Sequence, residues 1–109
     1  MKRDGGKRGI IGSAISVNGV PIRLTRERWQ HIVRGHEDLR HYRDDVLSVV
    51  EEPDVVYQGR HGSLIAVRSY GRRGFLAVFY REVSKRDGFI VTARFLKEHP
   101  RRRVVWQKR

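Results

Sequence analysis

The hydrophobic period of this chain changes partway along. Two short alternating runs, near Ala14 to Val17 and Val20 to Leu24, flank Asn18-Gly19, the dipeptide that most strongly marks a tight hairpin. Pro21 cannot donate to a ladder, which keeps the second strand off the centre of a sheet. Trp29, Ile32 and Val33 then recur at helical spacing, with Thr25 as N-cap and Gly35 as C-terminal cap. Tyr42, Val46, Val49 and Val50 mark a second helix that must end by Glu52, ahead of Pro53.

After Pro53 the period becomes two. Strands are expected at Asp54 to Tyr57, Ser63 to Tyr70, Gly74 to Val83 and Gly88 to Phe95, joined by turns at Gly59 to Gly62, Gly71 to Gly74 and Lys85 to Gly88. Connections this short join only antiparallel neighbours. On the last strand Phe89, Val91, Ala93 and Phe95 share the core-facing side, while Ile90, Thr92 and Arg94 share the open side. The pattern predicts an α+β fold, with an N-terminal hairpin and two helices packed on one face of a twisted antiparallel sheet of about four strands. Its organisation is a basic flexible arm over 1–9, one domain over 10–96 and a basic tail over 97–109. Within that tail, Val104, Val105 and Trp106 either add a strand or pack on the sheet.

Charge bears on what the domain meets. Twenty-four basic against 12 acidic residues give +12, and arginine supplies 19 of the 24. The two ends hold +8 of this, which leaves the body mildly basic. A polyanion is the natural partner, because the planar guanidinium can bond two phosphate oxygens at once. A GC-rich coding bias also inflates arginine and is the competing explanation. There is no cysteine, so disulfides and thiolate metal sites are excluded. With no apolar run near 20 residues and no secretory leader pattern, the expectation is a soluble, cytoplasmic chain.

Candidate chemistry concentrates in TRERWQHIVRGHEDLRH, residues 25–41, which holds three of the five histidines. His31 falls about 200° round the helix from Trp29, off the apolar stripe, and His36 follows the helix break beside Glu37 and Asp38. Such histidines can titrate near neutral pH, although an ordinary surface helix end looks the same. Thr92 and Arg94 on the open side can bond phosphate, joined by Arg68 and Tyr70 or by Tyr80 and Arg81, depending on register. Arg34, Arg101, Arg102 and Arg103 add nucleic-acid-binding charge. Trp29 fits the core better than a stacking role, because it shares the stripe with Ile32 and Val33. His61 and His99 have no spacing partner and receive no role. A metal site of His31, His36, Glu37 and Asp38 lacks the i, i+4 histidine pair of a convincing helical site, so neither metal nor cofactor is expected.

A helix ending in HIVRGHE, a second helix closing at EEPDVV and a meander whose last strand reads FIVTARF resemble the small nucleases of the barnase/EndoU/colicin/RelE superfold. The resemblance is to their phage- and toxin-associated branch and covers roughly residues 22–96. It implies metal-independent RNA cleavage, with a helix-borne histidine and polar residues of the sheet meeting over the scissile phosphate. By position His31 and His36 match the family's helix histidines, and Thr92 and Arg94 its last-strand polar pair. In that chemistry His36 or Glu37 serves as base, His31 as the alternative base or the acid, and Arg94 with Thr92 holds the phosphate. Implied partners are RNA, the ribosome included, and an antitoxin or immunity protein. The competing function is a non-catalytic RNA- or ribosome-binding module of the same fold.

Overall fold

The computed structural model describes residues 9–109; the greater part of the expected N-terminal arm, 1–8, lies outside the described residues. The hairpin forms as its sequence dictates. Gly19 adopts φ +82°, a value open to glycine at little cost, and its N–H bonds the Ser16 carbonyl at 2.8 Å. This turn pairs β1 (Ile10–Ile15) with β2 (Pro21–Thr25). Thr25 caps α1 (Arg26–Gly35) by accepting from the Arg28 N–H at 3.1 Å. The helix does not close on glycine. Gly35 is its last residue, and the His36 N–H reaches the carbonyls of Ile32 and Val33 at 2.8 and 3.2 Å, in a backbone conformation that needs no glycine. A single 3-10 turn, Glu37–Leu39, leads to α2 (Arg43–Glu51), which ends where Pro53 requires and buries Val46, Val49 and Val50 completely.

Five strands follow: β3 (Val55–Gln58), β4 (Leu64–Ser69), β5 (Phe75–Ser84), β6 (Asp87–Leu96) and β7 (Val104–Gln107). They join β1 and β2 in one seven-stranded sheet of order β1-β2-β6-β5-β4-β3-β7, in which β2 lies parallel to β6 and every other pairing is antiparallel. This overturns the expected α+β arrangement with a sheet of about four antiparallel strands. Short turns do fix the antiparallel run β3-β4-β5-β6. They carry no information on the joins between distant segments, β2 onto β6 and β7 onto β3, which make the sheet larger and mixed. Pro21 stands at the start of β2, which lies second from the edge and off the centre of the sheet, and Pro21 itself is not paired with β6.

The helices cover one face of the sheet. There Ile32, Leu39, Val46, Val49 and Val50 pack against Ile22, Leu24, Val56, Ala66, Leu76, Val78, Tyr80, Ile90 and Ala93. The opposite face carries a second, smaller apolar group of Val55, Tyr57, Ile65, Val67 and Ala77, flanked by Phe75, Phe79 and Leu96. Ile90 corrects the expected facing of β6. Tyr80 pairs with Ile90 but Phe79 pairs with Thr92, so a bulge at Val91 resets the alternation and leaves Ile90 2% exposed on the helix side. Among the described residues, no helix is long and apolar enough to cross a membrane.

Candidate functional site

Register decides which predicted residues meet. Across the face opposite the helices, Thr92 stands level with Phe79, Ile65 and Tyr57, and Arg94 stands level with Ala77, Val67 and Val55. α1, carrying His31 and His36, packs over β2 and β6 on the other face. The sheet therefore lies between the two halves of the expected catalytic set. His31 is exposed in a shallow recess with Thr25, Glu27 and Arg28. His36 is the half-buried helix cap, Glu37 is exposed beside it, and Arg34 lies near Trp29 and Arg40 in another recess. Among the described residues no group of three histidine, aspartate or glutamate side chains could hold a metal ion, and His31, His36, Glu37 and Asp38 do not converge on one.

Arg68 and Tyr70 also belong to the helix side. Arg68 donates to the carbonyls of Glu52 and Ser48 at 3.1 and 3.4 Å, to the Ser48 hydroxyl at 3.1 Å and to the Tyr70 hydroxyl at 2.9 Å. It thereby joins the Glu52 N–H on the Ser48 carbonyl and places a cation on the negative end of α2. The Tyr70 hydroxyl donates to Asp45 at 2.7 Å. Burial first, and then this bond, raise the Tyr70 phenol above its ordinary value, with Arg68 opposing. Tyr80 is wholly buried and meets no nucleic acid. Of the residues expected to join Thr92 and Arg94, Arg81 remains on the open face, exposed near Gly62.

What completes the open face is the chain between β6 and β7. β7 pairs with β3, four strand positions from β6, a distance of about 19 Å at about 4.8 Å per position. Seven residues, 97–103, make this crossing, which is near the reach of an extended segment of about 3.3 Å per residue. They cross the face with bends at Lys97–Glu98 and Arg101–Arg102. His99 marks the path. Its ring sits 4.2 Å from that of Phe75 on β5, and its Nδ1 is 2.8 Å from the Tyr57 hydroxyl on β3. Burial raises the Tyr57 phenol above its ordinary value, so it stays protonated near neutrality.

Between this crossing and the sheet lies a cleft of about 600 Å³ lined by Arg60, Arg94, Arg101, Arg102, Phe79 and Glu98, among others. The Arg94 guanidinium lies 5.2 Å over the Phe79 ring. Arg103 is exposed outside the lining, and its carbonyl accepts from the Gln58 N–H at 2.8 Å. Four arginines converge here from three separate segments. Such a site suits a phosphodiester.

Of these residues, sequence reading reached Thr92, Arg94, Arg101 and Arg102. It missed His99, Tyr57, Arg60, Phe79 and Glu98, because only the pairing of β7 with β3 brings them together. One signal was available: an apolar trio, Val104 to Trp106, following an arginine run, if that trio is taken as a strand. Comparison with family models, with curated proteins and with solved structures finds no match.

Proposed function

We propose that this chain is a small, basic, metal-independent endoribonuclease whose site is the cleft on the sheet face away from the helices. The observation that carries this reading is a cleft lined by four arginines, with His99, the chain neighbour of its lining residues Glu98 and Pro100, held by the Tyr57 hydroxyl at one ring nitrogen. With Nδ1–H donating to the Tyr57 oxygen, Nε2 keeps its lone pair and takes the proton of a ribose 2′-hydroxyl. The 2′-oxygen attacks its own phosphorus, the bond to the 5′-oxygen breaks, and the proton returns from Nε2 through a solvent water to that oxygen. Arginine N–H groups of the cleft offset the charge on the phosphorane. Tyr57 is a positioning residue in this scheme.

Protein treated with EDTA should cut single-stranded RNA, leave DNA of the same sequence intact and yield 2′,3′-cyclic phosphate ends. His99→Ala should lower the rate by about 10²-fold or more, the size expected for losing a general base, with RNA binding retained. Tyr57→Phe should lower kcat and leave KM unchanged. RNA that binds yet survives prolonged incubation would overturn cleavage. The separation of His31 and His36 from Thr92 and Arg94 favours, as a second reading, a non-catalytic RNA- or ribosome-binding module that uses the same cleft. Toxin activity and an antitoxin or immunity partner go with the cleaving form.

A further inference from the structure

One end of the sheet carries an apolar, basic patch outside the arginine cleft. Two hairpin ends lie side by side there: the Ser16 hydroxyl donates to the Glu82 carboxylate at 2.6 Å, and Arg23 on β2 forms an ion pair with Asp87 on β6. Glu82 pairs with Gly88 and Ser84 with Asp87, so Val83 is the extra residue of a bulge, a device that re-aims a side chain. Val83 is 62% exposed, the most of any large aliphatic among the described residues, and Ile15, next to Ser16, is 48% exposed.

Charge around these two aliphatics is one-sided. The nearby acids are engaged, Glu82 by Ser16 and by the Asn18 amide at 3.1 and 3.2 Å, and Asp87 by Arg23. Arg81, Lys85 and Arg86 are exposed and form no ion pair among the described residues. An apolar protrusion flanked by cations narrows the choice of partner. RNA gains nothing from valine and isoleucine, which offer neither a ring to stack on nor a hydrogen-bonding group. A second copy would set these cations against their like, and a stable protein interface takes about 20 residues a side, of which this patch supplies few. An anionic bilayer suits both features, because inserted apolar groups and a basic cluster together anchor what neither holds alone.

We infer that this end of the sheet docks on an anionic membrane surface, with Val83 and Ile15 entering the acyl boundary and Arg81, Lys85 and Arg86 at the headgroups. The chain has no cysteine, so Val83→Cys, Ile15→Cys and, on the exposed surface of α1, Gln30→Cys as a control each take a single nitrobenzoxadiazole label. With vesicles of equal parts phosphatidylglycerol and phosphatidylcholine, emission should rise and shift to shorter wavelength at residues 83 and 15 but not at residue 30. Vesicles of phosphatidylcholine alone should leave all three unchanged. In sedimentation with the anionic vesicles, Val83→Ser should weaken binding about tenfold at low and high salt alike. Lys85→Gln with Arg86→Gln should weaken it about tenfold at low salt and less at high salt. Binding without a change in emission at residue 83 would show an electrostatic contact alone and overturn the inference. So would a native affinity retained by Val83→Ser, or failure of the unsubstituted chain to sediment with anionic vesicles.

Discussion

Tyr80 heads the fully buried side chains by size, yet its hydroxyl meets no hydrogen-bond partner among the described residues. An unsatisfied buried hydroxyl costs about 1–3 kcal/mol of desolvation, so Tyr80→Phe should keep or raise stability by about 1 kcal/mol. The urea midpoint measures this, and a clear drop would show a bond to the hydroxyl. Burial also raises the phenols of Tyr57, Tyr70 and Tyr80 above 10.0, with Glu82 adding to the effect at Tyr80. The folded state thus resists phenolate formation more than the unfolded chain does. Stability from this source is complete below pH 10 and is lost as pH rises through the folded values. Melting temperature should hold steady up to about pH 9.5 and fall above pH 10, less steeply for Tyr80→Phe. An unchanged melting temperature at pH 11 would contradict the assignment.

At the scale of elements, β7 is the departure with the largest consequence. Residues 97–109 read as a basic tail, because six of the thirteen are lysine or arginine and the only apolar cluster is three residues long. In the fold, Val56 pairs with Trp106 and Val55 with Gln107, and Trp106 packs against the helix-side core. Truncation after Arg103 should bare the edge of β3, remove the Trp106 contact and lower the melting temperature by about 5 °C or more. Arg101→Ala with Arg102→Ala, which touches only the cleft, should leave it unchanged. The reverse pattern would mean that the tail is ornamental. Local chemistry made most of the other elements legible: Asn18-Gly19 for the hairpin, Thr25 for the start of α1, Pro53 for the end of α2, and the period of two for β3 to β6. The bulge at Val91 and the parallel seam of Ile22 with Gly88 have no local signature, since they depend on segments more than sixty residues apart or on register. The candidate site was half legible for the same reason. Thr92 and Arg94 follow from alternation along one strand, whereas His99 acquires Tyr57 and Phe75 only through the crossing.

Over the whole molecule both sides carry arginine, with Arg26, Arg28 and Arg34 exposed on α1 and Arg40 just after it, and the acids gather on one of them. A recess bordered by α2 gathers Asp44, Glu51 and Glu52, while the opposite sheet face gathers Arg60, Arg94, Arg101 and Arg102. The affinity of a polyanion for such a molecule should fall steeply and linearly in log–log form with added salt. In the proposed function, RNA meets this face and not the helix bearing His31 and His36. Amide chemical-shift mapping of the labelled protein with an uncleavable 2′-O-methyl octamer tests it most directly. The largest shifts should fall on Arg60, Phe79, Thr92, Arg94 and residues 98–103, with α1 and Glu37–Leu39 little changed. Shifts centred on α1 and His36, with the crossing segment unmoved, would contradict it.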